Sequence, residues 1–225
     1  MSRPPDRTAV RWAGPLALGA AVAFGLLAFA AAGHAGAPLP GDRWAHDWAL
    51  HHRPGWALAA ARLLTATGTG VIPYLLAALA GLIAARTQRE RRSAVALCLL
   101  VLGLGQLLRY TLMLSLSRPR PPAADWATPY ASGFSFPSGH ASTGVLTAGL
   151  LVLAVWRRGP RHRLPLAAGI ALWGLAVGLT RVYLGVHWPT DVLGGWLFAT
   201  AWLAGCVWLW GRLVPPAPRG AHEGP

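Results

Sequence analysis

The chain is 225 residues long, 54% hydrophobic and only 12% charged, about half the charge of an ordinary soluble domain, so it reads as one membrane domain rather than a water-soluble enzyme. Its basic residues number 20, all arginine, against 7 acidic ones, for a net charge of +13. The arginines cluster between apolar runs, as membrane topology requires, and form no basic groove or aromatic-interleaved module of the kind that holds nucleic acid.

A bilayer core ~30 Å thick calls for about 20 apolar residues per spanning helix. Six segments meet that length, at 12–33, 63–84, 92–113, 139–157, 164–184 and 190–213. They predict an all-α bundle of six transmembrane helices over residues 12–214, with short tails at 1–11 and 215–225. Residues 1–37 have the basic start, apolar middle and small-residue end (Ala35-Gly36-Ala37) of a signal peptide. The apolar run is long for an h-region of about 7–15 residues, which favours a retained first span.

Between the first two spans lies RWAHDWALHHR, residues 43–53. It is too polar to cross, and it reads as an interfacial segment with Trp44, Trp48 and Leu50 along the membrane and Asp47 and the arginines toward water. His46, His51 and His52 raise a metal reading, but no acidic or cysteine ligands stand at a familiar spacing, and none is adopted. Cys98 and Cys206 sit inside apolar spans and read as small buried hydrophobes.

Arginine placement orients the bundle. Arg3, Arg7 and Arg11, then Arg86, Arg89, Arg91 and Arg92, then Arg157, Arg158, Arg161 and Arg163, then Arg212 and Arg219 occupy alternate connections. These define the cytoplasmic side and place both termini there. Arg43, Arg53, Arg118, Arg120 and Arg181 fall in or beside loops on the outer side, where arginine is normally scarce. Arg118, Arg120 and Arg181 therefore look retained for another purpose.

Three outer segments carry the chemistry. Ser117-Arg-Pro-Arg-Pro121 follows the third span, and its prolines space two guanidinium groups that match phosphate oxygens with paired donors. Pro137-Ser-Gly-His140 opens the fourth span. Ser138 is a strong N-cap type there, Gly139 allows close approach, and free backbone N–H groups at a helix N-terminus make an anion site. His187 and Asp191, between the fifth and sixth spans, stand four residues apart with Pro189 between them. An aspartate that holds one imidazole nitrogen leaves the other free to attack. Arginines, an imidazole nucleophile and a second histidine as acid suffice for phosphoryl transfer without a metal, and no carboxylate cluster stands here to hold one.

These residues resemble the signatures of the type 2 phosphatidic acid phosphatase (PAP2) superfamily: Lys-x6-Arg-Pro, Pro-Ser-Gly-His and Ser-Arg-x5-His-x3-Asp. The second is intact at Pro137–His140. The third matches from Thr180-Arg181 through His187 to Asp191, with threonine for serine. The first matches only at its end, Arg120-Pro121, with Arg118-Pro119 just before; its lysine is missing, because Met113 or Thr111 stands at that spacing. Arg109 lies one turn below Met113 on the same face and is the candidate replacement. The resemblance implies His187 as nucleophile, Asp191 as its orienting partner and His140 as general acid. Phosphate would be held by Arg118 or Arg120, Arg181, Ser138 and the Gly139 amide, with Arg109 added. It implies no cofactor. The expected substrates are lipid phosphates at the outer face of the cell membrane, such as phosphatidate, phosphatidylglycerol phosphate or undecaprenyl diphosphate. The missing lysine raises one alternative, a phosphate-lipid binder or translocator with weak or no turnover.

Overall fold

The computed structural model describes residues 7–128, 131–159 and 161–214. Within them the chain is helical throughout, with no strand. In order come α1 (Arg7–Gly33), α2 (Asp42–His51), α3 (Gly55–Ala66), α4 (Ile72–Ala84), α5 (Gln88–Leu116), a 3-10 turn at Ala123–Asp125, α6 (Gly139–Arg158), α7 (Arg163–Tyr183) and α8 (Pro189–Leu213). The tail expected at 215–225 and most of the one at 1–11 lie outside the described residues. Residues 7–11, read as tail, already belong to α1.

Five of these helices, Val10–Gly33, α5, α6, α7 and α8, are long and apolar enough to cross a bilayer. Their large apolar side chains turn outward: Phe29 of α1 is 79% exposed and Leu172 of α7 66%. Lipid, not water, is the solvent that such faces suit.

The continuous helix predicted over 63–84 is corrected. The chain breaks after Ala66 and restarts at Ile72. Thr67 turns its hydroxyl onto the Leu64 carbonyl at 2.7 Å. Gly70 takes a left-handed φ of 63°, and Pro73 sits in the first turn of α4, where its missing N–H costs nothing. The 13 residues of α4 rise only about 20 Å, too little to cross alone. Hydropathy runs through this break; backbone chemistry does not.

α6 is the central helix. Its Leu146, Leu150, Leu151 and Ala154 are buried against Ala77 and Ala80 of α4, Leu102 of α5, and Ala199 and Leu203 of α8. Against α7 it packs backbone to backbone: a Cβ on Gly174 would stand 2.6 Å from the Ala148 Cβ and 2.8 Å from the Gly144 carbonyl oxygen. Small residues permit that approach, and close packing drives helix association where lipid removes the hydrophobic gradient. Because α6 begins and α7 ends at the same end of the bundle, this contact sets the spacing of their terminal side chains there.

α2 has one exposed and one buried face. Trp44, Trp48 and Asp47 are exposed, while Asp42, His46 and Ala49 are buried. Its three histidines diverge. His51 and His52 bond backbone carbonyls one turn back, Asp47 O at 2.7 Å and Trp48 O at 2.8 Å. His46 pairs with Asp125 at 3.1 Å under the Trp188 ring.

Gly174→Val tests the α6–α7 contact. Overpacking of this kind costs about 1–3 kcal/mol, so the variant should melt at a lower temperature than the parent in the same detergent. An unchanged melting temperature would show that the two helices do not depend on this approach.

Candidate active site

The C-terminal ends of α1, α5 and α7 and the N-terminal ends of α6 and α8 meet, and three connecting segments are stitched across them. Residues 117–121 pair with 133–135 through Ser135, whose N–H donates to the Arg118 carbonyl at 2.8 Å and whose hydroxyl donates to the Pro119 carbonyl at 2.9 Å. The Ser138 N–H donates to the Asp191 carbonyl at 3.0 Å, joining the start of α6 to the start of α8. The turn after α7 passes through Gly185 at φ 75°, where a Cβ would lie 2.4 Å from the Asp125 carbonyl oxygen. A side chain there would clash with the loop and strain the backbone.

His187 ends that turn and is 2% exposed. It lies outside α8, whose first residue is Pro189, so the pair is not brought together on one helical face. Instead Asp191, in the first turn, points back. Its Oδ2 accepts from the Trp188 N–H at 2.8 Å and faces His187 Nδ1 at 3.4 Å. The other imidazole nitrogen, Nε2, is 2.8 Å from Arg120 Nη1. A guanidinium nitrogen only donates, so Nε2 holds the lone pair and Nδ1 carries the proton toward Asp191. Burial foremost, then the Arg120 and Arg181 guanidinium groups, holds this imidazole well below its usual range. That direction favours the neutral ring, with its lone pair on Nε2.

The two loop arginines part company. Arg120 Nη1 also donates to the Val186 carbonyl at 3.0 Å, and its Nε and Nη2 donate to the carbonyls of Gly133 at 3.0 Å and Ser132 at 2.8 Å. Burial pulls this guanidinium down from its usual range, Asp191 raises it and Arg109 lowers it. Arg118 is 1% exposed and bound between two carboxylates, Asp191 Oδ1 at 2.6 Å and Asp42 Oδ2 at 2.7 Å. It also donates to Thr190 Oγ1 at 2.8 Å and to the Ala37 carbonyl at 3.2 Å. The structure thus places Arg118, expected to hold phosphate, with both terminal nitrogens committed behind the His187–Asp191 pair.

On the front side, Arg181 is 4% exposed and donates to Thr65 Oγ1 of α3 at 3.0 Å. The Arg109 guanidinium comes up from α5 and lies beside Gly139, with its Cζ 3.6 Å from where a Cβ on residue 139 would stand. Its Nη1 contacts the Met113 sulfur at 3.3 Å, at the very position where the motif lysine is missing. Ser138 is the N-cap residue of α6, but its side chain makes no cap bond, which corrects the simple capping expectation. Its buried Oγ is without a hydrogen-bond partner, as are Arg109 Nε and Arg181 Nε. His140, half-buried in the first turn of α6, sits within electrostatic reach of Arg181, His187, Arg120 and Arg109. The structure thus gathers His140, His187, Arg109, Arg120, Arg181, Ser138 and Gly139 around the N-terminus of α6. Unsatisfied donors and positive charge at a helix N-terminus are what an anion seeks.

Sequence reasoning missed Asp42, Thr65 and Thr190. Asp42 had one available signal: it is one of only seven acidic residues and stands beside outer arginines. Among the described residues, no three His, Cys, Asp or Glu side chains gather to hold a metal ion.

With the geometry in place, kinship can be read. The PAP2 superfamily profile matches residues 94–215, more than half of the chain, and the chain belongs to that superfamily; with its apolar helices, it is a multi-pass membrane protein. Individual relatives sharpen the comparison. Phosphatidylglycerophosphatase B of Escherichia coli K12 is 36% identical over 92 residues, 41% of this chain and 35% of that protein. Its Bacillus subtilis namesake is 36% identical over 102 residues, 44% and 49%. An undecaprenyl-diphosphatase of Sulfolobus acidocaldarius is 39% identical over 79 residues, 34% and 33%. The aligned stretches thus span a third to a half of the length of these curated relatives. A crystal structure of a transmembrane PAP2-type phosphatidylglycerolphosphate phosphatase from Bacillus subtilis superposes with a TM-score of 0.75 at 25% identity, covering 89% of this chain and 98% of that one.

Nitrogen NMR on histidine-labelled protein checks the His187 assignment. The ring should remain neutral, with the proton on Nδ1, at and below pH 6.5, where a free imidazole is half protonated. A ring that titrates near pH 6.5 would contradict it.

Proposed function

We propose that this protein is a metal-independent lipid phosphatase that works through a phosphohistidine at the outer face of the membrane. The observation that carries this is His187, held neutral between Asp191 and Arg120, facing a helix N-terminus ringed by guanidinium groups. The relatives named as phosphatases of phosphatidylglycerophosphate and undecaprenyl diphosphate support a phosphate carried on a lipid.

In this scheme the phosphate settles over the N-terminus of α6, against the Gly139 amide, Ser138 Oγ, Arg109 and Arg181. Arg120 leaves the imidazole and takes phosphate oxygens, which frees Nε2. The lone pair on Nε2 then forms the N–P bond as the P–O bond to the lipid breaks, and His140 gives its proton to the departing oxygen. Asp191 stabilises the positive charge that develops on His187. Water next attacks the phosphohistidine, with His140 now accepting the proton, and inorganic phosphate departs. Preorganised cations do most of the work in such transfers, by holding the equatorial oxygens.

The membrane layout follows the same reading. α3 and α4 together make one broken span, so the chain crosses six times and both termini lie in the cytoplasm. The break brings Thr65 of α3 to Arg181. The basic residues Arg11, Arg86, Arg89, Arg91, Arg92, Arg158 and Arg212 then share the inner side, and the site faces outward, at headgroup depth.

The test is phosphate release by the purified protein in detergent with EDTA present, on undecaprenyl diphosphate, phosphatidate and phosphatidylglycerol phosphate side by side. Turnover should survive the chelator and fall by a factor on the order of 10³ or more in His187→Ala. A strict metal requirement, or full activity without His187, would refute the scheme; no release from any of the three would favour a lipid binder. Arg109→Ala should raise KM roughly tenfold or more, the worth of a hydrogen bond to a charged group. Kinetics equal to the parent's would dismiss Arg109 as the replacement for the missing lysine.

A further inference from the structure

Resting on the nucleophile reading above, we propose that Asp42 is a positioning residue, acting through Arg118 and Asp191 on His187. Asp42 opens α2, in a segment that shares no motif with the site, 76 residues before Arg118. Its side chain is completely buried. A carboxylate is sealed from water only where donors replace the lost hydration. Asp42 has four: the Leu39 N–H at 2.9 Å, the Thr190 N–H at 3.0 Å, the Thr190 hydroxyl at 2.7 Å and Arg118 Nη2 at 2.7 Å.

Three of those donors are neutral, and the two from Thr190 tie α2 to the first turn of α8. A neutral amide oxygen at position 42 would still accept from the Leu39 N–H and the Thr190 hydroxyl, which share Oδ2. The Thr190 N–H on Oδ1 would face the amide nitrogen and lose its acceptor. The fourth needs charge. With Asp191 as its single partner, the buried Arg118 would draw the Asp191 charge to itself and away from His187 Nδ1–H. A second carboxylate divides the demand of the guanidinium. The trio of Asp42, Arg118 and Asp191 carries one net negative charge, and the imidazole lies at its Asp191 end. That surplus is what stabilises the cationic ring formed on phosphorylation. Asp42 also sets where that charge sits. Thr190, which bonds both Asp42 and Arg118, is the neighbour of Asp191, and Arg118 lies two residues from Arg120, the group on Nε2.

Asp42→Asn keeps the size and an acceptor oxygen and removes the charge. In folded protein, judged by melting temperature and size-exclusion profile, kcat should fall roughly tenfold to a hundredfold with KM within about twofold. The Nδ1–H signal of His187 in nitrogen NMR should move in the same variant without substrate. In an Arg118→Met background, Asp42→Asn should add little further loss, because the effect travels through Arg118. A structural clamp predicts the opposite: a lower melting temperature, with kcat per folded molecule and the His187 signal as in the parent. That result overturns the proposal, as does failure to fold of both Asp42→Asn and the smaller neutral variant Asp42→Ser. The NMR signal separates this inference from the catalytic reading. If the parent releases no phosphate, the phosphatase reading fails, and a shifted or unshifted His187 signal still decides the role of Asp42.

Discussion

A guanidinium sealed from solvent must find carboxylates, and Arg118 finds two. That ion trio is the constraint on which this end of the bundle depends. It joins α2 through Asp42, the connection after α5 through Arg118 itself, and the first turn of α8 through Thr190 and Asp191. Buried ion pairs are poor sources of net stability, because desolvation offsets most of the attraction. What such a pair supplies is geometry: breaking it strands a buried charge, so the partners stay where they are. Here the fixed geometry is that of Asp191 behind His187.

Two arginines two residues apart then do different work. Arg118 approaches the His187–Asp191 pair from the carboxylate end. Arg120 approaches from the imidazole end and rests on the nitrogen that would attack. In the proposed cycle an incoming phosphate competes for Arg120 and so uncovers the nucleophile only when substrate is present. The membrane-embedded helices carry the remaining cations, Arg109 from α5 and Arg181 from α7, to the end of α6. Close glycine packing of α6 on α7 keeps that gathering tight.

Much of this was legible in the sequence. Apolar length marked five of the long helices, and the Pro-Ser-Gly-His and Thr-Arg-x5-His-x3-Asp spacings marked the residues that converge. Arg109 was reached from the lysine position of the resembled motif, by stepping one helical turn below Met113. What stayed hidden had physical causes. The α3–α4 break carries local signals in Gly68, Gly70 and Pro73, but averaged hydropathy is blind to them. Arg118 and Arg120 are indistinguishable in an Arg-Pro-Arg-Pro run, because only a partner 76 residues away separates their roles. Ser138 obeys its helix-start preference in position yet leaves its hydroxyl unused for capping, which no local rule predicts at a site built for a ligand. Asp42 lies beside an interfacial segment and has no motif at all.

The central claim is a covalent bond between His187 and phosphorus, and the direct measurement is to trap it. His140→Ala lacks both the acid for the leaving oxygen and the base that activates water. It is therefore given a nitrophenyl phosphate labelled in its phosphate, whose leaving group needs no proton. The intermediate should then form, accumulate and survive rapid quenching in alkali, where phosphohistidine is stable. The account predicts acid-labile label on the peptide that contains His187, and none when His187 is also replaced. Turnover by the parent enzyme with no label retained in the trapped variant, or label on another residue, would contradict it.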